Sequence, residues 1–402
     1  MRRLRLGILA TEFFDERLGG FGGFGFAARR IATLLRETDA PIEPSFILGR
    51  DYGGHGLSHL DGFQLLSPAG IISKDLRLFR SARLDLIISV DWRSGFRYIT
   101  RVSPFSDLIV WINAPIAVRQ RFQMRSVAAA TDPGAGANQT RSIPSRSNLR
   151  SVVRETHFLP RKIVWASTSP ALIERFNLAH GLELTHACRL GYGVRSTAIP
   201  ARREAPRPRF LTLGRIAPEK RPWIICDVAR QLPGIEFRLA GDGKADLLGD
   251  SPPANVIHLG HLDESEKQVE LSQSWGLVSS SATEGMPIAF IEALLAGVPL
   301  VSTIDPELLV SRFGIYVENL AGSGRDLAEP LASAVRRAVE LRATERRDLG
   351  QAGRRWALEH HSDYAFLCDL AQILANLGWR DYAEQLMHLA LERLANLRAS
   401  VP

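Results

Sequence analysis

Cysteine, lysine and long apolar runs are scarce in this chain, and each shortage closes off a class of protein. The three cysteines, Cys188, Cys226 and Cys368, stand far apart with no C-x-x-C pair, so neither a disulfide framework nor a zinc site is indicated. That usage fits a reducing cytosol. No stretch approaches the roughly 18 consecutive apolar residues of a membrane-spanning helix, which leaves only peripheral contact with a membrane. The opening segment Met1 to Ala10 is basic, but its apolar run is too short for a secretory signal and soon meets Glu12, Asp15 and Glu16. No Asp-x-Asp occurs, and no histidine is spaced with acids or cysteines as a metal ligand, so no cofactor or metal is expected. Lysine is limited to Lys74, Lys162, Lys220, Lys244 and Lys267 in a chain that otherwise uses arginine.

At 402 residues the chain exceeds what one hydrophobic core usually supports, and two domains are expected. A formal net charge of +7 favours an anionic partner: a nucleoside diphosphate, an anionic membrane surface or nucleic acid. Short apolar runs alternate with helical stretches. They fall at Leu4 to Ala10, Ser45 to Leu48, Leu84 to Val90, Leu108 to Ile112 and Ile163 to Ala166. The rhythm returns at Phe210 to Leu213, Glu236 to Ala240, Val256 to Leu259, Gly276 to Ser279 and Leu300 to Ser302. Such alternation predicts parallel sheets covered by helices on both faces, an α/β chain of two doubly wound domains with a ligand cleft between them. The expected boundaries are 1–200, a proline- and charge-rich linker at 201–208, and 209–355, with helices over 356–402. Apolar residues at helical spacing end at Leu377, Gly378 breaks the pattern, and a second stripe runs through Leu386, Ala390, Leu394 and Leu397. That last helix, about Arg380 to Leu397, is a candidate for partner or membrane-surface contact, or for packing on its own protein.

The segment Ser279 to Ser302 carries the most chemistry. Pro287 suits a first helical position and Gly297 the residue past the end, predicting a helix from about Pro287 to Ala296. Its free N–H groups near Gly285, Met286 and Pro287 suit a phosphate, while Glu284 and Glu292 suit neutral hydroxyls beside it. Two acids next to an anion site point to a sugar nucleotide, because ribose and hexose hydroxyls donate well to carboxylates.

This E-G-M-P-x-x-x-x-E-A segment resembles the donor site of the retaining GT-B glycosyltransferases, specifically glycosyltransferase family 4. Phe210-Leu-Thr-Leu-Gly-Arg-Ile-Ala-Pro-Glu-Lys220 is similar to that family's strand, Gly-Arg turn and following lysine, and Phe237-Arg-Leu-Ala-Gly-Asp-Gly243 to its Gly-Asp-Gly turn. The three elements span roughly the second half of the chain. The resemblance implies GT-B architecture: two Rossmann-like domains facing across a cleft, with C-terminal helices crossing back at least partly to the first domain. It implies metal-independent transfer of a hexose, with retention, from a nucleoside-diphosphate sugar to a glycan, lipid-linked or small-molecule acceptor. Polysaccharide biosynthesis in the cytoplasm, with peripheral contact at the inner membrane face, goes with it. Gly214, Arg215 and Lys220 would then face the diphosphate, Glu292 the ribose and Glu284 the donor sugar. A Gly-rich loop with Gly19, Gly20, Gly22 and Gly23 would close on the diphosphate.

Where many relatives carry a histidine near the transferred sugar, this chain has Asn113, which donates a hydrogen bond but does not change charge near neutral pH. Asp91 and Trp92 are expected on the acceptor side, where Trp92 offers a flat face for a sugar, a core position for Trp92 being equally open. The arginines Arg141, Arg146 and Arg150 lie in a polar segment expected to be a loop. Gly20 to Gly25 also satisfies G-x-G-x-x-G, but a polar segment separates it from the first strand and no acid ends the next one, which disfavours a dinucleotide-binding dehydrogenase. Three other readings stay open: another GT-B enzyme such as an epimerase, a nucleotide-sugar-binding scaffold without transferase activity, and a nucleic-acid binder. The last is disfavoured because no recognition motif is present.

Overall fold

Two groups of strands form two separate parallel sheets in a computed structural model, which describes residues 2–18, 20, 22–49, 56–90, 92, 95–113, 152–155, 159–196, 199–249, 251–318 and 324–399. Unit 1 holds the described residues of Met1–Pro115, Arg141–Arg195 and His360–Pro402, and unit 2 those of Ser196–Glu359. Asp91, Gly19, Arg141, Arg146 and Arg150 lie outside the described residues.

Unit 1 contains β1 (Leu4–Ala10), α1 (Gly23–Glu37), β2 (Ile42–Leu48), β3 (His59–Leu60), β4 (Phe63–Leu66), α2 (Ile72–Ala82) and β5 (Leu86–Ser89). It continues with α3 (Phe96–Val102), β6 (Asp107–Ile112), β7 (Ile163–Ser167), α4 (Pro170–His180) and β8 (Cys188–Arg189). The sheet order is β3-β4-β2-β1-β5-β6-β7-β8, parallel except at the β3–β4 edge. Strands such as Leu86–Ser89 are apolar nearly throughout because both faces are covered, and every residue of β5 is buried. The order reverses between β1 and β5, so their C-terminal ends flank the unit's topological switch point.

Unit 2 contains β9 (Arg209–Leu213), α5 (Pro222–Gln231), β10 (Glu236–Ala240), β11 (Val256–Gly260), α6 (Glu264–Gln273), β12 (Gly276–Ser279) and α7 (Ile288–Leu295). It continues with β13 (Leu300–Ser302), α8 (Leu309–Phe313), β14 (Gly314–Tyr316), α9 (Ala328–Glu340) and most of α10 (Ala343–His361). The order β11-β10-β9-β12-β13-β14 is parallel throughout and reverses between β9 and β12. Phe210, Phe237, Ile224, Ile225 and Val335 form the centre of its core. The proline-rich stretch expected as a linker is bonded to this unit: Arg203 and Ala205 donate their amides to Ser272 O and Gln273 O at 2.8 and 2.9 Å.

The chain end belongs to unit 1. Ser362 caps α11 (Asp363–Leu377), Gly378 takes φ +92° at its C-terminus, and α12 (Arg380–Ala399) follows. Arg30 of α1 holds Asp363 at 2.6 Å, and Arg189 holds Asp369 at 2.8 Å. The last helix spends its stripe on its own unit: Leu386, Ala390 and Leu394 are buried, and Tyr382 donates to Arg2 O at 2.8 Å.

His361, at the join of α10 and α11, is fully buried and its Nδ1 accepts from the Tyr192 amide at 3.2 Å. Burial first, then the nearby His360 and Arg189 charges, push its pKa down to about 3. An unfolded histidine titrates near 6.5, so between these values the unfolded chain binds one more proton and stability falls as pH falls, by about 1.4 kcal/mol per unit. Replacing His361 by Asn, which keeps an acceptor, is expected to remove one proton from the acid slope of stability between pH 6.5 and 4.5. Parallel slopes for the two proteins in denaturant titrations would exclude a buried neutral imidazole.

Candidate donor-nucleotide site in unit 2

The loops after β9 and β12 lie at the switch point of the six-stranded sheet, where an open parallel sheet offers its ligand crevice. After β9 the chain turns at Gly214 with φ +142°. Behind it stand Gly241 and Gly243 at φ +144° and +145°. A Cβ on Gly241 would meet Gly214 O at 2.1 Å, and one on Gly243 would meet Ile216 O at 2.2 Å. The Gly-Asp-Gly turn is therefore the backing against which the Gly-Arg turn is built, zipped by Ile216 N donating to Asp242 O at 2.8 Å. In the sequence these two glycines stand out only as a turn, with no sign of what they pack against. Replacing Gly241 with Ala combines a disfavoured φ with a backbone clash, and is expected to cost about 2–4 kcal/mol of stability. A thermal midpoint equal to that of the unsubstituted protein would count against this packing.

A short 3₁₀ turn, Pro218–Lys220, then carries the lysine inward. Arg221 follows in the left-handed region at φ +49°, and its buried guanidinium donates to Ser280 O at 2.7 Å, Ser281 O at 3.0 Å and Thr303 Oγ1 at 3.2 Å. Burial draws its pKa down to about 10. Ser280 Oγ donates back to Lys220 O at 2.9 Å, and Ala282 N to Glu219 O at 2.8 Å. This stitching joins the two loops and sets Lys220 Nζ against Glu284 Oε1 in an ion pair. Arg215 is more exposed, meets Glu219 at 3.4 Å, and is suited to act as a second cation. Nothing in the apolar periodicity marks Arg221; its one local signal is its place just before the Pro222 that opens α5.

Helix α7 starts one residue later than the sequence predicts. Pro287 is its extended N-cap and Ile288 its first residue, because the fixed proline φ is paired here with ψ 123°. As the N-cap residue, Pro287 makes no side-chain cap hydrogen bond. Met286 is buried, Gly285 leads into it, and Gly297 closes the helix at φ +72°. Glu292 faces inward from the second turn and is held by Lys267 of α6, which also meets Glu264 at 2.8 Å. Burial raises the Glu292 pKa while Lys267 opposes it. Burial likewise lowers Lys267, but Glu292 and Glu264 outweigh it and leave the ammonium above its ordinary value. Lys267 belongs to the sparse lysines, yet nothing in its local sequence points at a residue 25 positions away.

Unit 1 contains the remaining predicted residues. Gly20, at φ +82°, bridges to Asp15, and Gly23 opens α1. At Gly22 the close approach is made by the chain itself: a Cβ would fall 1.9 Å from Glu12 Oε1, which accepts from Phe24 N and Gly25 N at 3.1 and 3.3 Å. An unoccupied helix start attracts the nearest anion, and here that is Glu12, so a phosphate arriving there meets a carboxylate. Asn113 is 2% exposed and its amide donates to Val90 O, which turns that donor toward the backbone rather than toward a ligand. Trp92 packs edge-on against Phe96 in the core of the unit.

Two parallel α/β units with these loops define the GT-B fold, and solved structures agree. The Anabaena Alr3699/HepE structure in complex with UDP and glucose superposes with a TM-score of 0.66 at 14% identity, covering 93% of this chain and 100% of that one. Sucrose-phosphate synthase from Thermosynechococcus elongatus gives 0.68 at 15%, covering 93% and 99%. The lipopolysaccharide outer core galactosyltransferase WaaB, in its apo form, gives 0.57 at 14%, covering 93% and 99%. At the level of sequence, residues 197–356 match the family model described as glycosyl transferases group 1, a span that falls within unit 2. No curated protein matches the chain.

Proposed function

We propose that the protein is a retaining glycosyltransferase that moves a hexose from a nucleoside-diphosphate sugar to a glycan, lipid-linked or small-molecule acceptor without a metal. The observation that carries this reading is the Lys220–Glu284 pair set at the switch point of the unit 2 sheet, beside the start of α7. Lys220 and Arg215 are suited to the charge that develops on the departing diphosphate, and Glu284 to the hydroxyls of the sugar. Glu292, held by Lys267, suits the ribose. In the proposed step the bond from the anomeric carbon to the diphosphate breaks on the face where the acceptor oxygen bonds. The acceptor proton passes to the departing phosphate oxygen, so positioning dominates catalysis. The setting we propose is cytoplasmic, with peripheral membrane contact and surface-glycan assembly as the wider role.

The test is a screen of UDP-, GDP- and ADP-sugars for thermal stabilisation, followed by anomer analysis of any product. Stabilisation by none of them, or an inverted product, would overturn it. A nucleotide-sugar-binding scaffold is the second reading, favoured by one observation: the Asn113 amide is buried and bonded to backbone where an acid-base group would serve transfer. Donor binding with no turnover on any acceptor would select it.

A further inference from the structure

We infer that the α2 face of unit 1 is a docking surface for an anionic lipid bilayer. Helix α2 and the residues bounding it leave three aliphatic side chains in solvent: Ile71 at 47%, Ile72 at 64% and Leu76 at 41%. Lys74, Arg77, Arg80 and Arg83 are exposed among them. The one acid from Ile71 to Arg83 is Asp75, which is 1% exposed and turned inward, accepting from Ala69 N at 2.8 Å and Tyr98 Oη at 2.6 Å. The outward charge of the helix is therefore entirely positive. Near its C-terminal end Phe105, 78% exposed, sits in the turn whose Ser106 hydroxyl donates to Leu84 O at 2.8 Å.

An exposed helix gains nothing in water from Ile72 and Leu76 one turn apart, and the cost of displaying them calls for a partner. A second copy of the chain is disfavoured, since the same cations would face each other. Nucleic acid satisfies the cations but offers no apolar phase to aliphatic side chains. An anionic bilayer satisfies both, with the arginines at the phosphates and the aliphatics at the acyl boundary. The helix is about 16 Å long, suited to lying in an interface and far too short to cross one. Among the described residues no helix is long and apolar enough to span a membrane. The sequence suggested α12 for such contact, but that helix buries its stripe within unit 1. This inference is independent of the chemistry at Lys220 and Glu284.

The test is flotation of the full chain with phosphatidylcholine vesicles, with and without phosphatidylglycerol, at low and high salt. Phosphatidylglycerol is expected to recruit the protein, and salt to weaken the binding. The R77E/R80E variant is expected to lose at least about 25-fold in partitioning, from about fivefold per cation. The I72S/L76S variant is expected to lose about tenfold while keeping its salt dependence. All four positions are exposed, so melting temperature and turnover of a soluble acceptor should be unchanged in both variants. The inference fails if phosphatidylglycerol recruits nothing, or if either variant floats like the unsubstituted protein. It also fails if the face binds a single-stranded polynucleotide and not vesicles.

Discussion

Lys220→Ala is expected to lower turnover about a hundredfold, and at least tenfold, while the protein stays folded. The lysine enters the site on a turn whose shape is set by backbone bonds and by Arg221, so its own side chain adds little to stability. What its removal takes away is a cation fixed beside the expected diphosphate. A preorganised group of that kind acts most strongly on the charge that develops as the leaving group departs, at about 10²–10³ in rate per group. The loss should therefore appear mainly in kcat, with a smaller rise in donor KM. Initial rates with the donor that stabilises the protein, alongside a melting curve, are the measurement. Turnover within a factor of two of the unsubstituted enzyme would remove Lys220 from the reaction.

Lys267→Met should weaken nucleotide binding and destabilise unit 2 together. Glu292 and Lys267 are both nearly closed off from solvent, and removing one partner of a buried pair costs about 3–5 kcal/mol because the other charge is left behind. The carboxyl then escapes by binding a proton. Burial already pushes its pKa upward and Lys267 opposes that, so loss of the ammonium moves it further in the same direction. A protonated Glu292 accepts poorly from a ribose hydroxyl, and nucleotide affinity should gain a dependence on pH, improving as the medium turns basic. The double variant Lys267→Met with Glu292→Gln separates the two effects. It replaces both charges and should recover most of the lost stability while affinity stays low, as for Glu292→Gln alone. If Lys267→Met keeps full affinity for nucleotide across pH, the lysine is a structural tie and Glu292 does not hold the ribose.

The strands were legible because parallel sheets covered on both faces need unbroken apolar runs, and these stand out against polar loops. Leu4–Ala10, Glu236–Ala240, Gly276–Ser279 and Leu300–Ser302 fall where the runs place them. The strands His59–Leu60, Phe63–Leu66, Cys188–Arg189 and Gly314–Tyr316 escape notice since they lie at or beside a sheet edge, where the covering that demands an unbroken apolar run is incomplete. The last of them begins on a glycine required by packing: a Cβ there would meet Leu300 O at 1.8 Å. Pro287 shows the usual limit at helix ends, where proline suits either the cap or the first turn and only its own ψ decides.

Residue order alone specified two parallel α/β units and the position of most of their strands, and it marked the loops before α7 as a candidate site, because apolar period and turn chemistry act over a few residues. Tertiary structure decided the partners. Lys220 meets Glu284, Lys267 meets Glu292, Glu12 occupies the start of α1, Arg221 ties two loops, and Asn113 turns to Val90 O. These are choices among charges and donors distant along the chain, and a buried charge takes whichever partner the packed sheets bring within reach.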